Sequence, residues 1–280
     1  MKRSLLYLLM LLPLSGWAQD TLFTADIQLL SRGEIRNGGM TYDPDDPQSE
    51  DKSAFILDRE RLILGYKRGW LEAKTTIQHV GTWGHEGAAS VNVYEAWAKA
   101  NANNGLFAQI GRLALRYDDE RIIGSDDWVM VPMTHDALRF GYEGHGHRAH
   151  AILAYNQNMR ATNSPGSYYT NGSRPYKTMH TIWYHYDVPQ VPLGVSLLFM
   201  NIGMQAGVVG GIGDNEAKTE WQLLYGGYLK FAPSHFTLEG SYYRQAGHDE
   251  NRCKLDAWMA AVKAEWQPND TWGTVAGFKL

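Results

Sequence analysis

Arginine and lysine residues recur along this 280-residue chain, within short segments in which polar and apolar residues alternate. Arg59 and Arg61 are two residues apart, so they lie on one face of an extended strand. A guanidinium group binds a carboxylate through two parallel hydrogen bonds and stays charged at any relevant pH. A row of such groups could therefore attract acidic solutes. The candidate residues for this solute pathway are Arg112, Arg139, Arg32, Arg36, Arg59, Arg61, Lys74, Glu95, Lys99 and Arg148.

Acidic residues accompany these cations. Glu34, Glu72 and Glu239, together with Glu95, are placed to pair with some of them, and such pairs would temper a positive pathway. For any single residue, a salt bridge that braces a wall competes with a role in solute contact. Asp58 and Glu60 alternate with Arg59 and Arg61, which places the acids on the opposite face of the same strand. Charge on both faces indicates that this part of the strand lies near a rim of the fold, where both faces meet water.

Support for a metal or calcium site in the sequence is weaker than support for the solute pathway. His145, His147 and His150 include two histidines at i and i+2, a workable ligand geometry. They fall in a short glycine-containing turn with a single nearby carboxylate, so we predict solvated turn histidines and no metal site. The acidic residues within 118–127 and 43–51 lack the spacing of an EF-hand. These segments are interpreted as solvated loops, with the bridging of a divalent ion to an anionic surface as the lesser alternative.

Catalytic signatures are absent from the sequence. The glycine-rich segment 207–213 precedes a strand and lacks the Lys-Ser/Thr end of a phosphate-binding loop. His180 and His185 lie on a predicted strand without an accompanying serine motif. We therefore predict that the chain is not an enzyme and has no cofactor. The single Cys253 excludes an internal disulfide framework.

The N-terminal residues form a secretory signal. Lys2 and Arg3 precede an apolar segment at 5–14, and Gly16 to Ala18 provide a small-residue end, which predicts a signal peptide over 1–19. No later segment has about eighteen consecutive apolar residues, as a membrane-spanning helix requires. The signal contains two of the 26 basic residues and none of the 30 acidic ones, leaving 24 against 30 and a net charge of −6. This charge gives no support for a nucleic-acid partner.

The remaining residues, 20–280, predict one domain of β-strands. In 235–243, Phe236, Leu238 and Tyr242 alternate with polar residues, and similar alternation recurs along the chain. Charged residues on the second face of these strands indicate that this face meets water. The predicted strands cover 24–36, 53–66, 70–82, 91–100, 106–116, 137–143, 148–157, 177–186, 193–204, 218–231, 235–245, 254–267 and 271–280.

The gaps between the strands alternate in length, which predicts how the strands are arranged. The short gaps are 67–69, 101–105, 143–148, 187–192, 232–235 and 268–270, and the longer gaps are 37–52, 84–90, 117–136, 158–176, 205–217 and 246–253. Transmembrane barrels pair short periplasmic turns with longer outer loops. The fold class is therefore predicted to be all-β, an antiparallel transmembrane β-barrel of the outer membrane. Thirteen is an odd count, and bacterial barrels normally close with an even number of strands. We therefore expect an incomplete barrel that lacks several C-terminal strands, and the alternative is that one of the thirteen segments is not a strand.

Residues 94–128 are the most distinctive segment. They contain Glu95-Ala96-Trp97, Ile110-Gly111-Arg112, Tyr117-Asp118-Asp119, Arg121, Ile123-Gly124 and Trp128. This segment resembles the alginate-export family of outer-membrane porins, in which a strand that carries Gly-Arg leads into a loop with a tyrosine, an acidic cluster and a tryptophan. Tyr225-Gly226-Gly227-Tyr228 also matches, and the resemblance extends loosely over most of the mature chain. It implies a charged, often arginine-lined pore, with Arg112 as the leading candidate and Arg139 next.

These observations favour a porin or channel in the bacterial outer membrane. The expected solutes are anionic or polar, including acidic oligosaccharides and alginate-like polyuronates, and the expected surroundings are outer-membrane lipid and lipopolysaccharide. The first alternative is a structural or binding barrel whose lumen is plugged by loops such as 117–136. The second is an outer-membrane barrel hydrolase, which would require a Ser-His pair at the rim.

Overall fold

A computed structural model describes residues 22–37, 52–85, 90–156, 169, 175–209, 212–268 and 273–279. These residues form a single antiparallel sheet of thirteen strands, in which each strand pairs with the next one along the chain. The structure thus confirms the predicted all-β class, the strand count and the antiparallel order. Within the described ranges, no helix is long and apolar enough to cross a membrane.

The strands follow the predicted segments closely, with one clear exception. The prediction of a long polar gap at 205–217 is wrong, because two strands continue through it and leave only residues 210–211 between them. The strands are β1 (Phe23–Asn37), β2 (Lys52–Arg68), β3 (Leu71–Thr82), β4 (Ser90–Asn101), β5 (Leu106–Leu113), β6 (His135–Gly144), β7 (His147–Tyr155), β8 (Thr178–Asp187), β9 (Leu193–Val209), β10 (Ile212–Phe231), β11 (Phe236–His248), β12 (Lys254–Trp266) and β13 (Thr274–Lys279).

The sheet is open between its first and last strands. In the described part of the chain, β1 is paired with β2 on one side only, and β13 is paired only with β12. This agrees with the prediction of a barrel that does not close within these thirteen strands. Further C-terminal strands that would complete the wall stay a prediction.

The two faces of the sheet differ in burial. On β2 and β3, Arg59, Arg61 and Gln78 are buried on one face, which we call the inner face. The opposite face, called the outer face, exposes large apolar side chains. For example, Ile27 and Leu29 are each 74% exposed. Such a polar inner face and apolar outer face match the alternation that predicted the barrel.

A bulge and a glycine shape the wall at β4 and β5. The pairing of β3 with β4 shifts between Thr76 and Ile77, which leaves Tyr94 as an extra residue beside Glu95, and both side chains are buried. Gly111 lies opposite Trp97 with a φ of 131°, and a Cβ there would collide with the carbonyl oxygen of Ala96. Only glycine fits this position, so the Gly-Arg dipeptide of the distinctive segment has a structural requirement at its first residue.

We expect Gly111→Ala to weaken the pairing of β4 with β5 and to lower the free energy of unfolding by about 2 to 3 kcal/mol, the usual cost of a strained backbone position. Urea unfolding in lipid vesicles, followed by tryptophan fluorescence, measures this loss. Gly240→Ala is the matched control, because a Cβ at Gly240 meets nothing within 4 Å and its φ is not positive. Equal stability of the two variants would contradict the prediction.

Candidate functional site: a charged cavity beneath an inner loop

The connection between β5 and β6, residues 114–134, lies on the inner face of the sheet, and we call it the inner loop. Its residues Leu115, Tyr117 and Ile123 are buried in an apolar cluster with wall residues that include Trp183 and Met200. The interpretation of this segment as a solvated outer loop is therefore wrong. Its apolar side chains lie on either side of a run of three acids, Asp118 to Glu120, and burial of the apolar set holds the loop against the sheet.

One end of the inner loop is attached through Asp118. The Trp183 indole nitrogen on β8 donates a hydrogen bond to Asp118 Oδ2 over 3.0 Å, and the Ser196 hydroxyl on β9 donates to Oδ1 over 2.5 Å. Burial raises the pKa of Asp118, and the two hydrogen bonds oppose that rise. The carboxylate therefore connects the loop to two neighbouring strands.

The tip of the loop, at Asp127, is attached to β2. Arg61 Nη1 lies 2.8 Å from Asp127 Oδ1, and Arg59 Nη2 lies 3.4 Å from the same oxygen. Arg59 also donates to the backbone oxygens of Asp127 and Val129. Because β2 and β9 are seven strands apart, or about 34 Å along the sheet, the loop crosses the inner face from one wall to the other.

A cavity of about 900 Å³ lies between the first part of the loop and the wall of β6 to β12. Its lining contains six basic and five acidic side chains, so it is strongly charged and close to electrically balanced. The basic residues are Arg116, Arg121, Arg139, Arg148, Lys230 and Lys263, and the acidic residues are Asp118, Asp119, Glu143, Asp187 and Glu239.

One wall of the cavity is organised around His150. Its Nδ1 lies 2.9 Å from the Tyr117 hydroxyl, and its Nε2 lies 3.0 Å from a Glu143 carboxylate oxygen. Arg139 contacts the same tyrosine hydroxyl at 3.4 Å and is also hydrogen-bonded to Gln109. The prediction of a solvated turn histidine holds for the exposed His145 but is wrong for His150, which is 6% exposed.

The opposite wall carries a cross-strand row of charge. Lys230, Glu239 and Lys263 are direct neighbours on β10, β11 and β12, with the carboxylate 3.4 Å and 3.6 Å from the two ammonium groups. Of these three residues, Glu239 was predicted to pair with basic residues, and the two lysines were not predicted. Counting residues outward from the predicted turn at 232–235 would have placed Lys230 opposite Thr237. The observed pairing starts with Phe231 opposite Leu238, so Lys230 lies opposite Glu239.

Other predicted pathway residues face inward at a distance from this cavity. Lys74 pairs with Glu95 at 2.5 Å, and the Lys99 ammonium lies 4.2 Å from the centre of the Phe107 ring. Arg32 pairs with Glu34 at 2.6 Å, which agrees with the prediction that nearby acids pair with the cations. Arg36 belongs to β1, but its side chain lies outside the described residues. Of the predicted residues, Arg139 and Arg148 line the cavity.

Arg112 faces outward, contrary to the expected lumen orientation. It lies opposite Ala96, on the same side of the wall as Ile110, which is 61% exposed. Its guanidinium forms a two-point contact with Asp136, with distances of 2.8 Å and 2.9 Å, and also donates to the Val93 carbonyl. Because Gly111 takes the inner position, the arginine that follows it takes the outer one.

A serine–histidine–aspartate chain is present but is poorly arranged for hydrolysis. His185 lies 2.7 Å from Ser196 through Nδ1 and 2.9 Å from Asp187 through Nε2. The Ser196 hydroxyl already donates a hydrogen bond to Asp118, and Ser196 is 1% exposed beneath the loop. A nucleophile needs an accessible oxygen and a base that accepts its proton, and this serine has neither. The hydrogen bond between Ser196 and Asp118 instead holds the inner loop against β9.

Comparisons with known proteins agree with this arrangement. No protein-family model matches the sequence, and no curated protein sequence matches it. Pseudomonas aeruginosa OccK2 (OpdF) superposes with a TM-score of 0.58 at 12% identity, over 92% of this chain and 63% of OccK2. OccK9 (OpdG) of the same species gives 0.57 at 14% identity over 91% and 67%, and the Acinetobacter baumannii channel DcaP gives 0.52 at 11% over 95% and 80%.

The chain thus spans less than two thirds of the length of OccK2. At these identities the likeness establishes the fold and leaves the solute open. The sheet order, the polar inner face and the superposition together show that this chain has the fold of an outer-membrane porin barrel, with one connection folded onto its inner face.

Proposed function

We propose that the protein is a passive channel of the bacterial outer membrane for small anionic or polar solutes, including acidic sugars. The observation that carries this proposal is the cavity beneath the inner loop, where charged side chains of both signs face a shared space of about 900 Å³. Conduction requires sites that attract a solute without retaining it, and closely spaced opposite charges provide such sites.

The comparison proteins support the class of solute. OccK2 has been crystallised in complex with glucuronate, a sugar that carries one carboxylate. In this chain, Arg139 and Arg148 on one wall and Lys230 and Lys263 on the other could receive a carboxylate, because all four line the cavity. The residues at 94–128 make the alginate-export family our preferred assignment within the porins. Contacts with lipopolysaccharide, and a cleaved signal at 1–19, belong to the same proposal.

A plugged barrel is the second candidate, since the inner loop is attached at both Asp118 and Asp127. The cavity that remains beside the attached loop favours the channel. An enzymatic role receives no support from the buried Ser196.

Reconstitution of the full-length protein into planar lipid bilayers tests the proposal. We expect discrete conductance steps in potassium chloride, and we expect millimolar glucuronate to reduce the current in a concentration-dependent way. A neutral sugar of similar size is the matched control and should reduce the current less. Protein that inserts, shows the mobility of a folded barrel on unheated gels and yet gives no conductance would support the plugged alternative and refute the channel.

A further inference from the structure

Two carboxylates and an imidazole converge on the outer face of β2 and β3. Asp58 and Glu60 are outward-facing on β2, and His79 lies directly opposite Glu60 on β3. His79 Nδ1 is 2.6 Å from Glu60 Oε2 and 3.8 Å from Asp58 Oδ2. One potential ligand atom from each residue lies within 4.8 Å of the other two. We propose that these three residues bind one divalent transition-metal ion of the zinc class.

The surroundings of the cluster favour a bound cation. Leu29 lies opposite Glu60 and Val91 lies opposite His79, and these apolar neighbours are 74% and 72% exposed on the outer face. Among the residues that the structure describes, His79 is the basic side chain within ion-pair distance of the two carboxylates. The cluster therefore presents two carboxylates and one imidazole side by side on a largely apolar face, and a metal ion is a partner that all three could share.

Space for an ion is provided by Gly81. This residue lies directly opposite Asp58, and a Cβ there would be 3.1 Å from His79 Cε1 and 3.4 Å from Asp58 Oδ1. Gly81 has no positive φ, so the backbone does not demand glycine at this position. The missing side chain leaves the gap between histidine and aspartate open.

The donor set indicates the class of metal. Zinc binds imidazole nitrogen and carboxylate oxygen at about 2.0 to 2.2 Å, so neighbouring ligand atoms around a tetrahedral ion lie about 3.3 Å apart. The observed separations of 2.6 Å and 3.8 Å lie on either side of that value, and small side-chain rotations would equalise them. Calcium and magnesium prefer oxygen alone, whereas imidazole suits zinc, nickel and copper. Three protein ligands leave a fourth position for water or a phosphate oxygen.

The position of the site indicates what the ion does. β3 ends at Thr82, three residues after His79, so the site lies at the end of the strands where the longer connections emerge. An ion held by Asp58 and Glu60 from β2 and by His79 from β3 would cross-link this pair of strands. The outer face is in contact with lipid if the proposed membrane function is right, and this part of the inference rests on that function. The binding of the ion depends only on the geometry of the three side chains.

Titration calorimetry with zinc chloride tests the proposal. The full-length, untagged protein is kept in detergent, and a chelator first removes any bound metal. We expect one saturable zinc site that Glu60→Gln and His79→Gln each weaken at least tenfold. His180→Gln is the matched control, because His180 is an exposed histidine on a strand with Thr178 and Trp221 as its neighbours. Gly81→Val keeps all three ligands while filling the space, and it should also weaken binding.

Several results would overturn the site. These are the absence of a saturable zinc site, unchanged affinity in folded Glu60→Gln and His79→Gln proteins, or displacement of zinc by an equal concentration of calcium. The mobility of unheated protein on gels reports folding for each variant. Because the ligands face away from the cavity, we expect Glu60→Gln to conduct like the wild type. Loss of zinc binding with normal conductance therefore separates this proposal from the channel.

Discussion

The substitution Asp127→Asn is expected to detach the tip of the inner loop from β2 and to enlarge the conducting path. Asp127 lies 2.8 Å from Arg61 and 3.4 Å from Arg59, and these arginines are only 4% and 2% exposed. Removing the charge leaves two buried guanidinium groups without a carboxylate, although backbone oxygens, side-chain amides and the Tyr94 ring still contact them. We expect the free energy of unfolding to fall by about 2 to 3 kcal/mol, because unpairing a buried charge is costly. Single-channel conductance should rise and become noisier.

Asp126→Asn is the matched control for this prediction. The neighbouring Asp126 is exposed, and its replacement by asparagine removes the same charge. Its φ is 50°, a backbone conformation that asparagine tolerates. Urea unfolding and planar-bilayer recordings of the two variants distinguish the anchor from a general charge effect. The anchoring role of Asp127 would be refuted if both variants matched the wild type in stability and conductance.

The wall of this protein could be predicted from local patterns. Alternation with a period of two assigns each strand residue to a face, and the turn lengths give the strand order, so thirteen strands follow from the sequence. The pattern misleads where strands continue past the expected boundary. β9 and β10 extend through 205–217 because Val208 and Val209 suit a strand despite the surrounding glycines.

The contents of the cavity could not be predicted in the same way. Asp118 and Asp127 belong to a polar stretch that looks solvated in sequence. Only tertiary contacts with Ser196 and Arg61 place them on the inner face, where Asp118 lines the cavity. His150 is buried because the inner loop brings Tyr117 over it, a contact between residues 33 positions apart. Such pairings depend on where a long loop folds, and residue spacing does not encode that.

Arg112 shows how one residue can reverse a local assignment. Gly111 occupies the inner position on β5, so Arg112 points outward and forms its ion pair with Asp136. The sequence identified the Gly-Arg dipeptide correctly as distinctive, since glycine is required there by its backbone conformation. It did not reveal which of the two faces the arginine would take.

Arg112 and Arg139, the two arginines with the strongest predicted role in the solute path, are therefore expected to differ in their effect on ion selectivity. Arg139 lines the cavity, whereas Arg112 lies on the outer face. A unit charge about 6 Å from a permeant ion contributes about 0.7 kcal/mol in water, which corresponds to roughly a threefold change in an equilibrium. We expect Arg139→Gln to lower the anion-to-cation permeability ratio by about this factor. Glutamine keeps a donor for Gln109 and the Tyr117 hydroxyl, so the wall should remain intact.

Arg112→Gln provides the comparison, because it makes the same substitution on the opposite face. Reversal potentials in a potassium chloride gradient measure the permeability ratio of both variants, and gel mobility confirms that each is folded. We expect Arg112→Gln to match the wild type in selectivity, although it loses the two-point contact with Asp136. If Arg112→Gln changed selectivity and Arg139→Gln did not, the solute path would run elsewhere than through this cavity. An equal shift in both would indicate a long-range charge effect and would leave Arg139 without a local role.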